Sequence, residues 1–539
     1  MATLTAVATQ TRVLTHLGYS LLKGSLPAAE QAAIKKELTV APKVAGPPRR
    51  SWAGAPDDSF PVYLESPSRF YVPRMWARAR YGDAEGSIMS PGAELRPDLK
   101  FVGTPYEYQV SIVDTFLAAA EEQGGGLICV PCGRGKTFMA VAIAAKLGRR
   151  FLIVVDKEFL LQQWSGELRA LMPGIRIGIL QQDKQQMGTE VIGKKELTAL
   201  ELKELARTAG LKVGGTKPEL LARLAEAGIA TAPEVETITY DCTIAMIQTL
   251  VTRNFAEAEF REYGLTIFDE CHHLGAAHFS RALQKVQTRV MLGLSATPTR
   301  DDGLTKVFEW YIGKPVYWEQ TREADPDVIV KKVSFTSDDP AYAVVPVDFR
   351  GEPVLARLLT QVIECDARNQ VVDEVLKELV ADPARRILVL SDRRSHLERI
   401  AGGLPAGTTF GYYVGGMKSE GREEGARTAQ VILGTYAMAS EAMNIKTLNA
   451  MVMASPRKKI EQSTGRILRV QKGDRVVEPL IVDIVDSHSV YQGQWFKRRV
   501  YYRKCKYKIV DPQRRGATVA EAVEEDEVPQ PQGCQIVDD

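Results

Sequence analysis

Two short stretches hold the residue types from which a phosphate-handling site is built. LICVPCGRGKT, residues 127–137, ends an apolar strand-like run and opens a helix-patterned one. At such a junction a glycine loop exposes backbone N–H groups to phosphate oxygens, and the helix dipole adds to the attraction. Pro131, Cys132, Gly133, Arg134 and Gly135 would form the loop, with the two glycines letting the backbone approach. Lys136 would reach the outer phosphates and the Thr137 hydroxyl would ligate Mg²⁺. Val130 stands where the strict P-loop pattern has its first glycine. IFDECHHLG, residues 267–275, supplies the other half. Its apolar strand delivers Asp269, which can hold the metal through its water shell, and Glu270, which can polarise the water that attacks a γ-phosphate. Cys271, His272, His273 and His278 lack zinc-finger spacing, and Cys129 with Cys132 has no partner CxxC, so neither group is read as a metal site.

Such residues need rigid strands behind them. LICV (127–130), FLIVV (151–155), LTIF (265–268) and VMLGL (290–294) are near-continuous apolar runs separated by amphipathic stretches. Strands buried on both faces by crossover helices have this pattern. A second set follows in RILVLS from 386, QVILGT from 430, NAMVMAS from 449 and PLIVDIVD from 479. The expected class is α/β, two mainly parallel sheets in tandem, with the boundary between Tyr317 and about Pro346. Residues 1–59 are expected as a flexible segment and linker, because 41–58 are rich in Pro, Gly and small residues. Residues 60–104 read as a small amino-terminal region, 105–325 as the first domain and 345–510 as the second. The acidic tail at 511–539 is expected to be disordered.

The 539 residues suggest three or four folded units. Hydrophobic residues make up 45% and charged residues 25%, with a net charge of +2, so any nucleic-acid surface must be a local patch. No window is apolar enough for a membrane span. Seven cysteines without framework spacing fit an intracellular protein with reduced thiols.

GRGKT, DECHH, SATPTRDDG from 295 and QSTGRILR (462–469), taken in that order, resemble the motifs of superfamily 2 helicases of the DECH-box type, over residues 105 to about 510. The resemblance implies two RecA-like domains that use ATP and Mg²⁺ and bind nucleic acid. It implies that Gln109 in PYEYQ contacts adenine, that Gln462 contributes to ATP binding, and that Arg466 and Arg469 neutralise charge on the transferring phosphate. His272, Ser295, Ala296 and Thr297 would couple hydrolysis to movement. Gln163, Trp164, Thr243, Gln248 and Thr435 would meet the nucleic acid. The sequence departs from the pattern at Asp156, where proline is common, and at Ala442 and Asn444, which replace the usual glycine and aspartate.

The interval from Trp164 to Thr243 is longer than one helix and one strand require. Thr198–Glu201 and Thr216–Glu219 are both capping boxes, each opening a short helix that stops before Gly210 or Gly228. KKELTALELKELARTAGLKVGGTKPELLARL resembles a SAP domain, a helix-loop-helix DNA-binding module, placed at 193–229. Lys203, Lys212, Lys217 and Arg223 would then meet phosphates. Residues 194–226 hold seven basic and five acidic residues, so a hairpin whose lysines only keep it soluble is the alternative. WFKRRVYYRKCKYKIV has two readings of equal weight, a base-stacking basic segment or a closing element with one solvated face.

The whole set looks closest to DNA translocases of the TFIIH type and to helicases of large DNA viruses, including poxvirus-type transcript-release enzymes. The expected function is an ATP-dependent DNA helicase or translocase working in transcription or repair, with RNA polymerase or other transcription machinery as partner. The expected location is the nucleus, a virus factory or a virion. Two alternatives stand beside it: an RNA helicase, and a DNA-tethering scaffold with a vestigial ATPase.

Overall fold

The computed structural model describes residues 10–43, 58–131, 133–195, 197–229, 234–300, 302–319, 324–417, 419–441, 443, 445, 447–468, 470 and 472–511. The chain divides into two compact units, residues 1–129 with 135–318 and residues 130–134 with 319–539.

In the first unit the apolar runs become the strands of an eight-stranded sheet. Its order is Lys184–Gln185, Ile177–Gln181, Cys242–Met246, Phe151–Val155, Leu265–Phe268, Val290–Ser295, Gly125–Cys129 and Pro315–Trp318. Every pairing is parallel except that of the short strand at 184–185. Gly125–Cys129, Phe151–Val155 and Leu265–Phe268 are buried at every position, as expected for strands covered on both faces. Their carboxyl ends therefore carry the functional loops.

Residues 10–43 correct the expectation of a flexible start. Arg12–Thr15 pairs with Gly18–Leu22, which pairs in turn with Arg69–Val72, and Ala28–Glu37 is a helix. Tyr19, Leu21, Ile34, Leu38 and Val40 join Val62, Phe70 and Trp76 in the core that also holds Leu127 and Phe268. The cause is short alternating strands, whose few apolar residues are spaced too widely to form a continuous run. Arg74 ties this region to the sheet by donating to the carbonyls of Gly124, Thr288, Arg289 and Tyr311.

The insertion stands on a two-stranded antiparallel stalk, Thr189–Lys195 with Glu234–Thr239. Its helices, Ala199–Thr208 and Lys217–Glu226, close a small core of their own from Leu202, Ala206, Leu220 and Leu224. Both capping boxes form: the Thr198 N–H donates to Glu201 at 2.7 Å and the Thr216 N–H to Glu219 at 2.8 Å.

The second unit holds a seven-stranded sheet whose described pairings are all parallel. Its order is Phe410–Tyr413, Val431–Thr435, Ile387–Ser391, Ala450–Met453, Leu480–Asp486, Ile329–Phe335 and Lys508–Val510. This corrects the boundary expected over 317–346, because Ile329–Phe335 is an integral strand of the second sheet. Lys331 and Lys332 hide it from an apolar-run criterion, and only Val330 within the strand is fully buried. WFKRRVYYRKCKYKIV also resolves toward packing. Ser489–Lys504 is a helix whose Trp495 and Tyr502 are buried, and Arg498 is buried on Asp483 at 2.8 Å. The tail from 512 lies outside the described residues, and no helix among the described residues is long and apolar enough to cross a membrane.

His396 makes the second unit acid-sensitive. Its ring nitrogens meet Ser391 Oγ and Asn369 Oδ1, each at 2.9 Å, and burial, with Arg368 and Arg399 nearby, pushes its pKa down to about 3. The folded unit thus refuses a proton that the unfolded chain accepts below about 6.5, so stability is full above that pH and falls toward pH 3. The expected loss is about 1.4 kcal/mol per pH unit in that window. Hydrogen exchange of Ile387–Ser391 at pH 7 and pH 5.5 measures it. His396→Gln should flatten the dependence, and a slope surviving in that variant assigns it to another group.

Candidate nucleotide site

The loop after Gly125–Cys129 turns into the helix Lys136–Leu147 through Gly133 and Gly135, whose φ values of +88° and +80° suit glycine. The Arg134 N–H donates to the Pro131 carbonyl at 3.4 Å. Cys132 lies outside the described residues. A Cβ at Gly135 would sit 2.5 Å from Gln109 Nε2, so the glutamine amide and the loop are fitted to each other. Gln109 is buried, and its Oε1 accepts from the Tyr106 N–H at 3.0 Å, capping its own helix. The contact with the loop is a placement that sequence reasoning missed.

Lys136, the first residue of that helix, places Nζ 3.2 Å from Glu270 Oε1. Glu270 leaves the strand Leu265–Phe268 in a left-handed conformation, φ 44° and ψ 50°. Only Gln182 and Lys506 share a positive φ among the described non-glycine residues, and such backbone strain tends to gather at functional positions. Burial alone would raise the Glu270 pKa, but the Lys136 ammonium and the neighbouring His272 outweigh it and hold the carboxyl below its usual range. The other oxygen, Oε2, is buried with no hydrogen-bond partner among the described residues. It lies 3.3 Å from His272 Nδ1 without a hydrogen bond to it, and so keeps its lone pairs for water, as a water-polarising base requires.

Asp269 differs from its neighbour. Its Oδ2 accepts from Trp164 Nε1 at 2.8 Å and its Oδ1 from the Glu270 N–H at 3.0 Å. Burial, reinforced by the Glu270 charge, pushes its pKa up to about 6. A divalent cation beside it would reverse that preference. Carboxylate and hydroxyl oxygens, here Asp269 and the partly buried Thr137 of the loop helix, are the donor type that suits Mg²⁺.

His272 Nδ1 lies 3.0 Å from Ser295 Oγ and 3.3 Å from Glu270 Oε2. Burial pushes its pKa down to about 4, so it is neutral at pH 7. Ser295 Oγ in turn accepts from the Thr297 N–H at 3.1 Å, and Ala296 lies between them at the strand end. The carboxylate, the histidine and the segment after Val290–Ser295 thus form one connected chain of contacts.

Residues 103–300 match the family model described as Type III restriction enzyme, res subunit. A putative ATP-dependent RNA helicase of Acanthamoeba polyphaga mimivirus is 27% identical over 503 residues, covering 92% of this chain and 86% of that protein. Another of that description, from African swine fever virus, is 25% identical over 402 residues, covering 70% and 68%. Among solved structures, T4 UvsW is similar with 15% identity and a TM-score of 0.32, over 90% of this chain and 95% of that one. The family match and the viral relatives support a helicase of superfamily 2.

The expected nucleic-acid residues divide. Gln248 is exposed, with Nε2 donating to the Asp156 carbonyl at 2.7 Å, and Gln163 and Thr435 are partly exposed. Trp164 and Thr243 are corrections: both are fully buried and neither can touch a polymer. Thr243 Oγ1 is 2.7 Å from the Tyr263 hydroxyl and 3.1 Å from the Gln186 carbonyl. On the insertion Lys203 and Lys212 are exposed and Lys217 is half-buried. The Arg223 guanidinium is engaged by the Lys212 and Gly214 carbonyls, which makes it a brace for the loop between the helices.

In the second unit Arg466 is buried and donates to the Met443 carbonyl at 2.8 Å. Gln462 falls in the short helix Glu461–Thr464. Arg469, Ala442 and Asn444 lie outside the described residues.

Proposed function

We propose that this protein is an ATP-dependent DNA helicase or translocase, in which the loop 131–137 binds the phosphates of ATP and Glu270 polarises the attacking water. The observation that carries the reading is the state of Glu270, with one oxygen held by Lys136 at 3.2 Å and the other buried without a hydrogen-bond partner among the described residues. On this reading Gln109 and Gln462 help to bind nucleotide, and Thr137 and Asp269 hold Mg²⁺, which neutralises charge on the phosphates when bound. His272, Ser295, Ala296 and Thr297 relay the state of the site, and Arg466 and Arg469 meet charge on the transferring phosphate. Gln163, Gln248 and Thr435 follow the backbone of the polymer. The resemblance to large-virus helicases suggests transcription or repair as the setting, with transcription machinery as partner.

DNA is preferred because of the insertion. Its paired capping boxes, private core and exposed Lys203 and Lys212 fit a SAP-like module that grips phosphates. Deleting residues 189–239 is expected to weaken DNA binding several-fold and to flatten its salt dependence while basal ATP turnover persists. Unchanged affinity in a titration against salt removes the module from the interface. RNA is the second reading, favoured by the names of the two viral relatives. ATP turnover measured with single-stranded DNA, duplex DNA and RNA at equal salt decides between them, and stimulation by RNA alone overturns the DNA assignment. Turnover equal in the native chain and Glu270→Gln would favour a scaffold.

A further inference from the structure

Trp164 lies on the inner face of the helix Glu158–Leu171 with Leu160, Leu161, Ser165 and Leu168, and none of its surface reaches solvent. A buried indole N–H needs an acceptor. Here the acceptor is Oδ2 of Asp269 at 2.8 Å, while Oδ1 of the same carboxylate takes the Glu270 N–H at 3.0 Å. One donor on each oxygen fixes the plane of the carboxylate. The helix begins just after Phe151–Val155, and that strand pairs directly with Leu265–Phe268, which delivers Asp269. A second contact joins the same two segments, with Asp156 Oδ2 3.7 Å from His273 Nε2.

We propose that Trp164 is a positioning residue for Asp269, its indole N–H holding the carboxylate in the orientation from which the remaining lone pairs meet the hydration shell of Mg²⁺. The proposal rests on the ATP-site reading and deepens it. Mg²⁺ demands near-octahedral geometry and keeps several waters, so a carboxylate free to rotate is a poorer partner than a fixed one. Loss of a hydrogen bond behind a metal-binding group typically lowers metal affinity about 10- to 100-fold.

Trp164→Phe keeps most of the packing and removes the donor. Calorimetric binding of a non-hydrolysable ATP analogue to the full chain, once with Mg²⁺ and once with EDTA, reads the effect without turnover. The expected result is binding about tenfold weaker with Mg²⁺ and unchanged in EDTA. Equal weakening in both conditions, or none in either, overturns the proposal, since a packing role does not distinguish them. In an Asp269→Asn background the phenylalanine should add no further loss, and additive losses also overturn it.

If the phenylalanine variant does not fold, the unsubstituted chain carries the test through its six ¹⁵N-labelled indoles. The indole signal that moves in Asp269→Asn should also move when Mg²⁺ is added to the nucleotide-loaded protein, and the proposal fails if none does. If the native chain binds nucleotide no better with Mg²⁺ than with EDTA, the ATP-site reading itself falls and the role of Trp164 falls with it.

Discussion

Glu270→Gln is expected to lower ATP turnover about 10²- to 10⁴-fold, the range associated with losing a positioned general base, while nucleotide binding stays near its original strength. The amide matches the carboxylate in size, so the packing around Cys271 and Ser295 has no reason to change. What is lost is charge. Oε1 can still accept from Lys136, now as a neutral acceptor, which leaves the ammonium freer to meet a phosphate. Oε2, the oxygen without a hydrogen bond among the described residues, is replaced by a weak acceptor or by an N–H that repels the proton of the attacking water. Single-turnover hydrolysis gives the chemical step and equilibrium binding gives the affinity. A variant that loses both in proportion would show that Glu270 holds the loop together rather than serving the water.

The site was readable because its chemistry is local in sequence. GRGKT and DECHH each follow an apolar strand run, and both strands lie in the first sheet with Val290–Ser295 between them. What the runs did not convey was anything set by tertiary partners. Trp164 sits beside Gln163 in a helical stretch that resembles a polymer-contacting motif. Only helical phase puts one of them outside and the other inside: the buried positions 160, 161, 164, 165 and 168 lie on one face. That phase was available from the sequence and could have flagged Trp164 as a core residue, although not its bond to Asp269. Thr243 was legible in the same way, since CTIAM is apolar on both sides of it and is buried throughout.

The larger misjudgements concern elements that lack a continuous apolar run. Ile329–Phe335 is interrupted by Lys331 and Lys332, and Lys331 reaches Glu378 at 2.7 Å while Lys332 reaches Asp511 at 2.9 Å. Long cationic side chains can lay their stems on apolar surface and keep their heads in polar company, so a strand carrying two of them still closes a sheet. The start of the chain is a similar case. Arg12, Lys23, Lys35 and Arg80 are each paired with a glutamate, and Lys23 also lies over the Phe70 ring at 4.7 Å. Composition alone reads such a segment as polar and loose. In the aromatic and basic stretch near the carboxyl end, where a base-stacking segment and a closing element stood at equal weight, a helix that buries Tyr491, Trp495 and Tyr502 favours the closing element.

Lys136→Ala should be more damaging than its loss of one contact suggests. Removing a charged donor from the phosphates is expected to weaken nucleotide binding by about 3 kcal/mol, roughly a hundredfold. The second effect falls on Glu270. Burial is the strongest influence on that carboxyl and acts to raise its pKa, and Lys136 is the first of the groups that oppose it. With the ammonium gone the carboxyl should move toward its protonated form, which cannot accept a proton from water, so turnover at saturating ATP should fall as well. The two defects have one origin, and the double variant Lys136→Ala/Glu270→Gln should therefore turn over no more slowly than Lys136→Ala by itself. Measured kcat values for the two single variants and the double variant decide this. If the losses multiply, lysine and glutamate act independently, and their 3.2 Å contact contributes nothing to how the base is kept ionised.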